Sequence, residues 1–352
     1  EVLDPEHNHS FYDNYLECEV DLSSVFFIAT ANTTAGIHPA LLDRLEIIEL
    51  PGYVVEEKLE IAKKHLIPKI LKENGLTPEE ITFTDDSIIE IISKWTYEAG
   101  VRNLERTLTR CVRKIATLKA RGEKISITIK PDSLPRYLEA PPPSPALFIK
   151  SLKSGIAIAL AWTPAGGDVI YIETSAFSSS QRNSPVKVIT TGNVGKVMRE
   201  SIQIAISLAR NYLKKLKINK DLSKYELHVH IPEGSVPKDG PSAGISIFSS
   251  IMSFFLNKPF PPDIAMTGEI TLTGYILPVG GIREKVLAGK RANLKRLILP
   301  YLNKPHVDEL EPHYKEGIEF IFLQHVDELL PVVFGITLKS ESSVKSEANS
   351  IT

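Results

Sequence analysis

The sequence predicts a mixed α/β chain built in successive parts. These are an α/β piece over 1–50, a small helical domain over 51–137, a linker over 138–154 and an α+β domain over 155–337. Three observations lead there. Residues 25–30, Val-Phe-Phe-Ile-Ala-Thr, form a continuous apolar, β-branched run of the kind buried in parallel sheets. Between 51 and 137 apolar residues recur at helical spacing and glycines punctuate the runs. Beyond Pro141-Pro142-Pro143 and Pro145, a stiff extended segment, short β-branched runs alternate with longer amphipathic ones.

A lone parallel strand at 25–30 needs neighbours on both edges, so its sheet partners are expected before Glu1. In the next part Leu59, Ala62, Leu66, Ile67, Ile70 and Leu71 predict a helix over 56–74, stopped by Gly75. Asp85 or Asp86 caps a second helix carrying Ile88, Ile89, Ile91, Ile92 and Trp95, and a third runs over 103–120 to Gly122. In the last part strands are expected at 155–162, 168–174, 186–190, 225–231, 296–299 and 318–322. Helices are expected at 194–216, 242–255, 282–292, 304–311 and 326–335. The serine-rich stretch 178–184 reads as a surface loop, and the polar tail 338–352 as disordered.

Bulk properties narrow the function. The 352 residues carry 43% hydrophobic and 24% charged side chains, with a formal charge of −2 and a pI near 6.6. No basic excess points to a nucleic acid, and no apolar run reaches the ~20 residues a membrane helix needs. The two cysteines, Cys18 and Cys111, stand far apart without a neighbouring ligand and read as free thiols.

Gly240-Pro241-Ser242-Ala243-Gly244 fits G-x-S-x-G. In an α/β-hydrolase the serine follows its strand directly, whereas here residues 232–239 intervene; Asp263 and His306 are formally available as partners but nothing local marks them. Ser242 also stands where a helix cap would stand. His228 and His230 alternate along a strand and face the same way, which suits either packing or a metal pair without an evident third ligand.

The longer string 232–244, Pro-Glu-Gly-Ser-Val-Pro-Lys-Asp-Gly-Pro-Ser-Ala-Gly, closely resembles the catalytic-serine segment of Lon proteases. A second signature follows: Thr267-Gly268-Glu269-Ile270-Thr271, then Pro278-Val279-Gly280-Gly281-Ile282-Arg283-Glu284-Lys285. The resemblance implies a Ser–Lys dyad with Ser242 as nucleophile and Lys285 as general base. It also implies that Thr267 orients the amine, and that backbone N–H groups around Asp239 and Ser242 hold the oxyanion. The chemistry is consistent. A serine hydroxyl needs a base to take its proton, and a lysine serves only when an apolar setting keeps it neutral.

The first part resembles the end of the family's AAA+ module. Ala29-Thr30-Ala31-Asn32 matches sensor 1 at Asn32, Leu41-Leu42-Asp43-Arg44 the arginine finger at Arg44, and Gly100-Val101-Arg102 sensor 2 at Arg102. The 1–50 part is thus expected to be the remnant of the large AAA+ subdomain and 51–137 the small helical one. No Walker A motif occurs; Gly195-Lys196 is followed by Val197, with Thr190 at the first glycine position. ATP and Mg2+ are therefore expected of an intact parent protein and no ATP hydrolysis of this chain alone.

The resemblance implies cleavage of unfolded or damaged proteins within a homo-oligomeric, hexameric ring. A catalytically silent ring subunit is the alternative. DNA binding is implied only by some family members. Segments 27–32 and 273–281 are similar to mitochondrial members, so the mitochondrial matrix is the expected location, with a bacterial-type cytoplasm as the alternative; Ser350-Ile351-Thr352 is not a peroxisomal address.

Overall fold

The computed structural model describes residues 2–337 except 5, 32, 33, 35, 49, 51, 97, 124–125, 142–151, 164–165, 179–186, 219, 221, 233 and 235–236. Most of the expected linker, the serine-rich loop and the tail 338–352 lie outside the described residues. The chain divides into two units, 1–51 and 52–352.

In the first unit, β1 (Phe11–Asp13) and β2 (Cys18–Val20) pair antiparallel, with Phe11 opposite Val20. The Asp13 carboxylate closes their turn by accepting from the amides of Tyr15 and Leu16, both at 2.8 Å. A one-turn helix α1 (Pro39–Leu42) starts on a proline, and His38 accepts the Ala40 amide. The strand expected at 25–30 is not formed. Those residues are irregular, with Phe26 87% and Ile28 82% exposed. The physical reason is partnership: among the described residues no strand pairs with 25–30, β1 and β2 being paired only with each other, and a run without a ladder partner is not a strand.

Among its described residues the second unit holds two large hydrophobic cores and a small cluster of Val54, Leu287 and Tyr314. Around the first stand α2 (Val55–Ile61), α3 (Ile67–Glu73), α4 (Asp85–Trp95), α5 (Arg102–Ala120) and the short α6 (Leu134–Tyr137). The single helix expected over 56–74 is interrupted by a π turn at Ala62–Leu66. Pro68 explains it, because it lacks an N–H and its ring crowds the carbonyl one turn back. The α4 cap is Thr84, whose hydroxyl accepts from Ser87, rather than Asp85 or Asp86. A parallel pair, β3 (Ile81–Phe83) and β4 (Ile127–Ile129), closes the core. Cys111 lies inside it, and burial pushes its thiol up to about 12.

The second core lies around a seven-stranded mixed sheet. Its strands are β5 (Ile156–Thr163), β6 (Gly166–Ser178), β7 (Val188–Thr191), β8 (Tyr225–His230), β9 (Ile264–Met266), β12 (Arg296–Pro300) and β13 (Glu319–Leu323), in the order β13-β12-β9-β5-β6-β8-β7. β5, β6 and β8 run antiparallel to their neighbours in that series; β5–β9, β9–β12, β12–β13 and β7–β8 are parallel. A two-residue hairpin, β10 (Glu269–Ile270) with β11 (Ile276–Leu277), follows β9. The helices are α7 (Lys196–Lys215), α8 (Gly244–Leu256), α9 (Ile282–Arg291), α10 (Lys304–Asp308), α11 (Pro312–Lys315) and α12 (Val326–Phe334).

On β6, Gly167 meets α9 and Thr174 meets α8. Because side chains alternate along a strand, these two positions point to opposite faces, and the two helices cover the sheet from opposite sides. α8 is buried almost all round, and its serines are satisfied inside the protein. Ser246 donates to the Met266 carbonyl (3.2 Å), Ser249 to Ile245 (2.8 Å) and Ser253 to Lys258 (2.6 Å). Phe248 fills the core edge-on to Tyr212, with ring centroids 5.6 Å apart. Phe248→Ala is expected to destabilise the fold by roughly 3–5 kcal/mol, read as a lowered midpoint in denaturant unfolding. Among the described residues no helix is long and apolar enough to cross a membrane.

Candidate active site

The segment leading to Ser242 is fixed by the start of α7. Lys238 bridges Val194, its carbonyl accepts from Gly195 (2.7 Å), and its amide donates to Asn193 (3.0 Å). The Asp239 carboxylate then accepts from the Met198 and Gly240 amides, each at 2.9 Å. It caps α7 from another part of the chain, and these amides, Met198 first, hold its pKa below the ordinary carboxylate value. Gly240 turns the chain with φ 114°, a conformation a side chain resists, into the 3-10 turn Pro241–Ala243.

Ser242 sits half-buried on that turn. Its carbonyl accepts from the Gly268 amide (2.8 Å) and from the Thr267 hydroxyl (3.1 Å), and Ile245 donates to the Gly268 carbonyl (3.1 Å). The end of β9 is thereby stitched to the turn. Thr267, 0% exposed, holds the backbone of Ser242; the role implied by the resemblance was to orient the lysine amine. The cap positions of the turn and of α8 are Gly240 and Ala243, so Ser242 stands inside the turn rather than at either cap position.

Lys285 is the fourth residue of α9 and only 2% exposed. No carboxylate pairs with it among the described residues. Burial pushes its pKa down to about 8, against a small opposing pull from Glu284. Its surroundings on the helix are Ile282, Val286, Ala288 and Gly289, all buried. The turn bearing Ser242 and the helix bearing Lys285 both pack on β5. Both elements thus have β5 as a neighbour, and buried apolar residues flank Lys285 along its own helix.

Other marked residues are placed elsewhere. The Asp263 carboxylate is bonded to Arg296 at 2.8 and 3.1 Å, and His306 is exposed on α10, so these two are not placed as triad partners of Ser242. The Thr191 hydroxyl bonds His228 Nε2 (2.9 Å) and His230 Nδ1 (2.7 Å), which accounts for the pair as packing. Asn32 lies outside the described residues. Arg44 is bonded to Asp4 (3.1 Å) and to the Ala40 carbonyl (2.9 Å) within its own unit. Arg102 opens α5 on the surface, where the Glu98 carboxylate caps the amides of Asn103 (2.9 Å) and Leu104 (2.8 Å). With Arg44 engaged and no phosphate loop in the sequence, the residues present do not fit ATP and Mg2+, and no step runs through them.

Residues 128–335 match the Lon protease (S16) C-terminal proteolytic domain, and residues 72–127 the Lon protease AAA+ ATPase lid domain. The chain belongs to the Lon protease family. It is similar to the Lon protease of Dictyoglomus thermophilum, with 47% identity over 94% of this chain and 41% of the relative. With that of Lawsonia intracellularis it shares 44% identity over 96% of the chain and 40% of the relative. For Aquifex aeolicus Lon protease the figures are 46%, 99% and 43%. The chain spans about two-fifths of these Lon proteases. All three relatives are bacterial, which overturns the expected mitochondrial matrix. That expectation rested on two short segments, 27–32 and 273–281, and likeness through nearly the whole chain to bacterial Lon outweighs them.

Proposed function

We propose that this chain is the peptidase portion of an ATP-dependent Lon-type protease, with Ser242 as nucleophile and Lys285 as general base. The observation that carries it is Lys285: a buried amine without a counter-ion among the described residues, on a helix packed against β5, on which the Ser242 turn also packs. Neutral Lys285 Nζ takes the Oγ proton as the oxygen adds to the substrate carbonyl. The ammonium returns that proton to the departing amine. Water then hydrolyses the acyl-enzyme with Lys285 again as base. Backbone amides at the start of α8 are the donors for the oxyanion. Asp239 and Thr267 are positioning residues, one fixing the loop to α7 and the other fixing the Ser242 carbonyl. The intact parent is an ATP-dependent, homo-oligomeric, hexameric ring of such sites that takes in unfolded proteins.

The test is hydrolysis of a fluorogenic unstructured peptide by this chain, with and without a phosphonate serine probe. Activity is expected to rise about tenfold between pH 7 and pH 9, as the Lys285 amine loses its proton through a pKa near 8. Probe attachment is expected at Ser242. A chain that neither cleaves the peptide nor takes up the probe is a silent ring subunit.

A further inference from the structure

Helix α9 has two working faces. Arg283, Leu287, Lys290 and Arg291 recur at the spacing of one helical stripe, and Lys285 projects from the opposite side. The stripe is where α9 meets the helical domain. Leu287 packs with Val54 and Tyr314. Lys290 Nζ lies 3.5 Å from Glu56 and donates to the His313 carbonyl at 2.5 Å. Arg291 donates to the Gly167 carbonyl and stands within electrostatic reach of buried Lys58.

Buried Tyr314 is the knot of this contact. Its hydroxyl accepts from Arg283 Nη2 at 2.6 Å and donates to Glu57 Oε1 at 3.3 Å. Its ring lies under the same guanidinium, 4.8 Å from the centroid. Glu57 is held in turn, because its other oxygen accepts the Val54 amide at 2.9 Å and so caps α2. Arg283 Nε is buried with no hydrogen-bond partner among the described residues. A guanidinium that leaves one donor unmet has been placed by its other contacts, here Tyr314.

We propose that Tyr314 is a positioning residue for the peptidase site, linking Glu57 on α2 through Arg283 to the first turn of α9 and so setting where the Lys285 amine stands. The inference rests on the Ser242–Lys285 reading. A short helix packed on both faces moves as a rod, so a shift of α2 against the stripe becomes a shift of Lys285 in its apolar bed. Loosening the stripe admits water to the amine and returns it toward an ordinary lysine. The charged groups facing Tyr314 are Arg283, Glu57 and Glu311. Of those on elements packed against α9 (Asp168 and Glu173 on β6, Lys304, His306 and Asp308 on α10, His313 and Lys315 on α11), none acts on Lys285; its chain neighbour Glu284 does.

Competitive acetylation of the full chain with acetic anhydride across a pH series, read at Lys285 by mass spectrometry, tests this without needing catalysis. Tyr314→Phe keeps the ring and removes only the hydroxyl link. The wild-type midpoint is expected near 8. In the variant it is expected about one unit higher, with roughly fivefold less acetylation at pH 8. Peptide kcat at pH 8 falls by a similar factor with KM unchanged, and Glu57→Gln moves the midpoint in the same direction. A wild-type midpoint near 8 that Tyr314→Phe leaves in place overturns the clamp. A wild-type midpoint near that of a solvated lysine overturns the underlying base assignment instead.

Discussion

Lys285→Met is expected to lower peptide hydrolysis by roughly 10²–10⁴-fold and, at the same time, to make the protein more stable. Both effects come from one property. An amine whose pKa falls from 10.5 to about 8 on folding is held where its charged form is disfavoured. The difference of about 2.5 units corresponds to roughly 3 kcal/mol, and 2% exposure leaves little solvent to screen it. Below about pH 8 both folded and unfolded states carry the proton, and the whole cost falls on the native state. Between 8 and 10.5 the unfolded chain binds more protons, so wild-type stability climbs with pH and the variant's advantage shrinks; above 10.5 it is gone. Methionine fills a similar volume without a charge. Thermal melts at pH 7 are expected to rise by several degrees, at about 2–4 °C per kcal/mol. A variant that melts below wild type at pH 7 contradicts the buried, uncompensated amine.

The second large effect is expected at Gly167. A Cβ there falls 1.9 Å from the Glu284 carbonyl oxygen and 3.0 Å from the Lys285 amide nitrogen. Both obstacles are backbone, so no rotamer change relieves them; α9 must move off β6. Gly167→Ala is expected to cost roughly 3 kcal/mol or more, at and beyond the upper end for overpacked cores. Whatever folds is expected to lose about 10²-fold in peptide cleavage, the penalty typical of an ångström's misplacement of a reacting group. Circular dichroism melts with peptide assays on the soluble fraction measure both. Near-wild-type values in each refute the close approach of β6 to the Lys285 turn.

Much of the second unit was legible from periodicity. The helix expected over 194–216 is observed at Lys196–Lys215, and the strand expected over 155–162 at Ile156–Thr163. The failures share a cause. Ile264–Met266 is a three-residue strand at the middle of the sheet, too short to show alternation, and its place depends on β5 and β12. β3 and β4 pair parallel across the intervening helices α4 and α5, which no local pattern reveals. Residues 25–30 have the composition of a buried strand, but a strand is made by its partners. Ser242 and Lys285 were singled out by motif position. No property of the amino acids distinguished Lys285 from the other lysines, because its burial is assembled from β5, β6 and its own helix. Tyr314 gave no signal at all, since its partners Glu57 and Arg283 are distant in sequence.

The strand order carries a consequence for biosynthesis. β5 lies between β6, its immediate successor, and β9, which the ribosome makes only after another hundred or so residues. At roughly 5–20 residues per second, β5 waits several seconds or more for β9 and α9. Until they arrive the Ser242 carbonyl lacks its Gly268 and Thr267 donors, and Lys285 has no apolar bed. A nascent chain therefore emerges with the Ser242 turn and the Lys285 helix not yet packed on β5. The Ser242 turn and Lys285 are secured only by segments made well after β5.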